Sequence, residues 1–233
     1  DKGGDELVTI ADREAEVQLA AGLEAITPGL AIVGEEASAA GPTVLEGLFR
    51  QCWIIDPIDG TSNFASGKAP FGILIARADG GQTQSAWIYD PLTGRFCTAH
   101  RGEGAFVDGS QIHSKATGKP MPVGAISTLF MDDVLRQKME DHIAPHYSLV
   151  DIPRCAAEQY PRLALGINDV TIFERTLPWD HAAGALWVNE AGGKVARNDG
   201  SEYRVDDWDR PGLIGAASPP LWDELAARIS KIS

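Results

Sequence analysis

Apolar residues along this chain switch between helical and strand spacing. Ala15, Leu19, Leu23 and Ile26 share one face of a helix, and Thr9 with Asp12 three positions later forms a capping-box-like start. Leu30-Ala31-Ile32-Val33 and Trp53-Ile54-Ile55 are short apolar runs suited to buried strands, the second bounded by Pro57 and Gly60. Extended segments follow at 71–76, 84–89, 95–99 and 105–107, divided by turns at 79–81, 91–94 and 101–104, which predicts an antiparallel meander. Gly118, Pro120 and Pro122 interrupt the pattern between 115 and 122, so a subdomain break is expected there, dividing 1–118 from 119–233. Beyond it, 132–143, 154–166, 180–192 and 219–229 read as helices interleaved with short apolar strands. Helices layered between sheets, an α/β class, fit this order.

Acidic residues fall at the ends of these elements. Asp56 and Asp59 follow the Trp53–Ile55 run, with Pro57 stiffening the turn so that two carboxylates and the Ile58 carbonyl can face one side. Hard oxygen ligands at that spacing suit Mg²⁺, although Asp-Pro and Asp-Gly are also ordinary turn signals. After Gly60, Thr61-Ser62-Asn63-Phe64 can begin a helix whose free N–H groups face an anion. Glu35 lies just past the Leu30–Val33 strand, and Asp180 takes an N-cap position before Ala185, Leu186, Val188 and Ala191. Open α/β folds gather ligand groups at such ends.

Gly34-Glu35-Glu36, Asp56-Pro57-Ile58-Asp59-Gly60-Thr61 and Trp179-Asp180 through Glu190-Ala191-Gly192-Gly193 stand in the order of three signature blocks. In this the chain resembles the inositol monophosphatase family of Mg²⁺-dependent, lithium-sensitive phosphatases, from about Asp5 to the last helix. The resemblance implies an alternating α-β-α-β-α sandwich in which both subdomains form one catalytic unit. It implies one Mg²⁺ held by Glu35, Asp56 and the Ile58 carbonyl, a second held by Asp56, Asp59 and Asp180, and a weaker third near Glu35. The expected reaction is hydrolysis of a small phosphate monoester by in-line attack of water, with no covalent intermediate. Thr61, oriented by Asp12, and Glu35 would position or deprotonate that water, and Gly60, Thr61 and Ser62 would cradle the phosphate. On spacing alone Asp12 is a helix-capping acid. Lys2, Gly3 and Gly4 correspond to a flap over the metals. Glu174 is either a substrate-reading glutamate or an exposed strand-end acid, and Arg154 matches a family arginine before the substrate-lining helix. Cys155-Ala156-Ala157-Glu158-Gln159-Tyr160-Pro161 departs from the family's small-residue pattern, which keeps histidinol phosphate and sugar phosphates open beside inositol monophosphate. A homodimer and Li⁺ inhibition are further implications. Some bacterial relatives act through protein partners, so a regulatory member is the reading from another class.

Composition adjusts this picture without directing it. A hydrophobic share of 44% over 233 residues supports a full core. The net charge of −13 disfavours nucleic-acid binding and would repel a phosphate substrate too, so divalent cations are needed to reverse the local field. Three cysteines without Cys-x-x-Cys spacing read as buried thiols, and the five histidines show no zinc spacing. His181 is expected to turn away from Asp180 and to pack or support. With no secretory signal and no membrane-spanning run, a cytoplasmic enzyme is expected.

Overall fold

The computed structural model describes residues 9–232, so the expected flap at Lys2, Gly3 and Gly4 lies outside them. The chain folds as α1 (Ile10–Ile26), β1 (Ala31–Gly34), α2 (Glu35–Ala40), β2 (Cys52–Asp59), α3 (Thr61–Ala65), β3 (Gly72–Asp79), β4 (Gln82–Tyr89), β5 (Phe96–His100), β6 (Gly104–Val107) and β7 (Ser110–Ile112). It continues as β8 (Val123–Ile126), α4 (Asp133–His142), β9 (Ser148–Leu149), α5 (Ala156–Ala164), β10 (Val170–Phe173), α6 (Pro178–Glu190), β11 (Lys194–Arg197), β12 (Leu213–Ala216) and α7 (Pro219–Ile229).

Strands β1 to β7 form one sheet in chain order, parallel between β1 and β2 and antiparallel thereafter. The expected meander is therefore real. The second sheet runs β11-β12-β10-β8-β9. All eight positions of β2 are buried, which requires cover on both faces of the first sheet. Alternation supplies it: Trp53 and Ile55 pack with Leu23 and Leu19 of α1, while Cys52 and Ile54 turn to the large inner core. Helix α6 is buried on nearly every side because it lies between the sheets, against α5, β3, β4 and β5 on one side and β11 on the other. Met139 of α4 and Trp222, Leu225 and Ile229 of α7 close the outer face of the second sheet. The layers alternate α-β-α-β-α. Among the described residues no helix is long and apolar enough to cross a membrane. Cys52, Cys97 and Cys155 are buried free thiols.

Three boundaries differ from the sequence reading. Strand β2 does not stop at Asp56 but runs to Asp59, with a register shift between the two aspartates. Pro57, which has no N–H to give a ladder, falls inside that irregularity. Helix α6 begins at Pro178 with Leu177 as its N-cap, so Asp180 is inside the first turn and not at the cap; the proline's fixed φ starts the helix earlier. Helix α5 begins at Ala156, because Arg154 is left-handed at φ +53°.

Candidate active site

The β2 irregularity turns Asp56 and Asp59 toward the start of α6. One carboxylate oxygen from each of Asp56, Asp59 and Asp180 lies within 4.8 Å of the others, with Asp56 and Asp59 buried and Asp180 half-buried. Backbone groups fix their directions. The Ile58 N–H donates to Asp56 Oδ1 at 3.0 Å. The Ala157 N–H, in the first turn of α5, donates to Asp59 Oδ2 at 2.5 Å, and since α5 has no side-chain cap of its own, Asp59 serves that helix start. Gly60 makes the next turn at φ +85°, where an added Cβ would stand 3.0 Å from the Pro70 carbonyl oxygen and 3.2 Å from Cys155 Cβ.

Crowding three acids in a buried site raises their pKa values. Burial pushes Asp56 well up, reinforced by Glu35, Asp59 and Asp180. Asp59 is raised by burial against the opposing pull of the α5 N–H groups. Asp180 is pushed up to about 8 by burial and by Asp59 and Glu35, while the Arg175 guanidinium 3.8 Å away opposes the rise. Three such groups cannot all ionise unaided, whereas a hard dication with oxygen preference would neutralise them together. The donor set fits Mg²⁺.

Glu35 opens α2 directly after β1 and faces the same cleft, where its charge raises Asp56 and Asp180. It stands outside the three-aspartate group. Its placement depends on Glu16, whose buried carboxylate accepts from the Glu36 N–H at 2.8 Å and the Ala37 N–H at 2.9 Å and so caps α2. Gly34 leaves room for that approach, since a Cβ there would meet the Glu16 carboxylate and displace it. Asp12 contacts both the helix start and Thr61. Its Oδ2 accepts from the Thr9 N–H at 2.7 Å and the Thr9 hydroxyl at 2.5 Å, while Oδ1 lies 3.3 Å from Thr61 Oγ1. The single Thr61 proton has a second acceptor, the Ile58 carbonyl at 3.0 Å. Donation to either leaves the Thr61 lone pairs free to accept.

A cleft of about 820 Å³ joins these groups. Gly60, Thr61, Ser62, Arg154, Glu174 and Asp180 all line it, so the expected phosphate and substrate residues share one cavity with the acids. Glu174 is half-buried, and burial with nearby Asp132 raises its pKa. Arg154 is exposed on the rim. Several supporting residues were not legible in the chain. Asn63 Nδ2 donates to the Pro70 carbonyl at 2.7 Å and the Pro153 carbonyl at 3.0 Å, tying α3 to the loop before α5. His181 bonds the Arg175 carbonyl through Nε2 at 3.0 Å, so that nitrogen carries the proton and Nδ1 accepts from the Tyr160 hydroxyl at 2.7 Å. Burial holds His181 down to about 3, and it acts as a neutral strut, in keeping with its expected supporting place. Helical spacing pointed His181 away from Asp180, but Glu16, Asn63 and Tyr160 find partners too far along the chain for any local pattern.

A layered α/β fold with a buried carboxylate cluster facing helix starts defines a class of metal-site proteins. The particular member follows from comparison: this chain belongs to the inositol monophosphatase family, whose model matches residues 1–233. It is 33% identical over 227 residues to Nus factor SuhB of Vibrio cholerae, covering 94% of this chain and 80% of that protein. It is 32% identical to the inositol-1-monophosphatase of Bacillus subtilis, covering 85% of this chain and 75% of that one. Among solved structures, the extragenic suppressor protein suhB of Bartonella henselae superposes with a TM-score of 0.84 at 27% identity, covering 99% of this chain and 89% of its own. Family membership supports a phosphatase, and the acidic cluster supports metal binding.

Proposed function

We propose that this protein is a Mg²⁺-dependent phosphatase that hydrolyses a small, inositol-monophosphate-like phosphate monoester by direct attack of water. The observation that carries the reading is the meeting of Asp56, Asp59 and Asp180 in one buried site of a family phosphatase fold. Glu35, Asp56 and the Ile58 carbonyl would hold one Mg²⁺ and Asp56, Asp59 and Asp180 a second, with a weaker third near Glu35. Bound there, Mg²⁺ supplies the positive charge that offsets the anionic ester and makes water a better nucleophile.

The chain's own residues do the rest. Thr61, donating to Asp12, turns its lone pairs toward the attacking water, and Glu35 takes the water's proton. The first turn of α3, with Gly60, Thr61 and Ser62, presents N–H groups that lack helical acceptors to the phosphate oxygens. The new oxygen–phosphorus bond forms as the ester oxygen–phosphorus bond breaks, the bonding pair leaves with the ester oxygen, and that alkoxide takes a proton from solvent in the cleft. Glu174 and Arg154 contact the leaving group, which is an inositol, or alternatively histidinol or a sugar. The 1–118 and 119–233 parts act as one catalytic unit, in a cytoplasmic homodimer inhibited by Li⁺.

Phosphate release from inositol-1-phosphate, histidinol phosphate and fructose-1,6-bisphosphate, with and without Mg²⁺, tests the proposal. Mg²⁺-dependent release from at least one, lost in Asp56→Asn by more than about 100-fold, is expected. Near-normal activity in that variant would remove Asp56 as a ligand. The relatives named Nus factor SuhB favour a second reading, a regulatory protein-binding member, which activity on no substrate would promote.

A further inference from the structure

Phe130 is the cleft residue whose placement the phosphatase reading leaves unexplained. It lies between β8 and α4, lines the cleft, remains 58% exposed, and holds a left-handed backbone at φ +65°, a conformation that disfavours a bulky side chain. The loop around it is pinned and not slack. The Ser127 N–H donates to the Ile172 carbonyl at 3.3 Å, Met131 is buried in the outer core, and Arg136 Nη2 donates to the Met131 carbonyl at 3.0 Å. Strain imposed by so many anchors is a mark of functional sites.

The ring is also aimed. The Arg175 guanidinium stacks 4.0 Å from its centroid, and the same guanidinium reaches Asp180 at 3.8 Å. One arginine therefore bridges the aromatic ring and the acid cluster, so Phe130 borders the part of the cleft beside Asp180. Leu129, Ile152 and Pro153 extend the wall with apolar surface. The ring gives a flat leaving group an aromatic face, while the hydroxyl partners in the same lining are Ser127, Thr128 and Glu174.

We infer that Phe130, held by Arg175, is a specificity-determining residue, and that the site favours phosphate monoesters whose leaving alcohol carries a flat unsaturated ring over saturated alcohols of the same size. This rests on the phosphatase reading and deepens it: among the leaving groups named above it ranks histidinol, with its flat imidazole, ahead of the saturated inositol. Benzyl phosphate and cyclohexylmethyl phosphate are a matched pair, because both release a primary CH₂–O alkoxide when the oxygen–phosphorus bond breaks and differ in the ring. The wild-type protein with Mg²⁺ is expected to favour benzyl phosphate about fivefold in kcat/KM, mainly through KM, the size one ring contact carries. Phe130→Asn, whose side chain tolerates the left-handed backbone and removes the ring, should bring the ratio to about one, and Phe130→Tyr should keep it.

A wild-type ratio near one, or a ratio unchanged in Phe130→Asn, overturns the inference. So does refusal of both esters by a protein that hydrolyses inositol-1-phosphate, an outcome that leaves the phosphatase reading standing. If no phosphate monoester is hydrolysed, that reading fails. Dissociation constants of the two esters, measured by calorimetry on the Ca²⁺-loaded protein, then decide the ring preference by the same ratios.

Discussion

At Asp12 the two carboxylate oxygens are divided between a helix start and Thr61, so one side chain makes local and long-range contacts. The local half was legible, because a capping acid sits three residues from its partner. The other half spans 49 residues, and only the family resemblance offered it. Replacing Asp12 with Asn leaves one acceptor oxygen where two are used. A kcat lower by about 100-fold is expected, with KM changed little, since the water-orienting pair would be broken. Steady-state kinetics on the folded variant checks this, and an unchanged kcat would reduce Asp12 to a cap. The same contrast holds across the site: Glu35, Asp56, Asp59 and Asp180 were readable because signature blocks place them at element ends. Glu16 and Asn63 were not, because each satisfies backbone groups of a distant segment.

Glu35 is held at the start of a short helix that another element caps. Helix α2 has no side-chain cap from its own residues, and Glu16 of α1 provides two acceptors for its first N–H groups. Glu16→Ala would leave those donors in a half-buried corner, and an unfolding free energy lower by about 1–3 kcal/mol is expected in urea titration. Mg²⁺ binding should weaken with it, because Glu35 begins that helix; calorimetry reading unaltered affinity would show that α2 keeps its place without the cap. The elements themselves were mostly legible, since the meander strands alternate largely between buried and half-buried positions at period two. What misled was proline. Pro57 implied a strand end and instead sits within a bulge, and Pro178 started α6 before Asp180 could cap it.

The whole molecule sets three acids into a core that would expel them, and that conflict makes its stability sensitive to pH and metal. Asp180, at about 8 in the folded protein against 3.8 ordinarily, holds its proton more tightly when folded. Its protonation therefore stabilises the metal-free fold fully below about pH 4, and this is lost as pH rises through 8. His181 works in the opposite direction, because its value falls to about 3 from 6.5, so its destabilising effect grows only below pH 6.5. Between pH 6.5 and 8 the carboxylates act alone. The melting temperature in EDTA should fall across that interval, and Mg²⁺ should raise it most at pH 8. A flat profile in EDTA would mean that burial and the neighbouring acids do not hold the Asp180 proton in the folded protein. The layered architecture was readable from the alternation of helical and strand patterns, whereas the burial of α6 between two sheets follows from packing that only the folded chain reveals. The proposed chemistry depends on the three aspartates gathering around a divalent ion. An anomalous difference map from crystals grown with Mn²⁺ tests this most directly: it should show a peak about 2 Å from carboxylate oxygens of Asp56, Asp59 and Asp180. An ion bound only elsewhere, or aspartates turned apart with none between them, would contradict it.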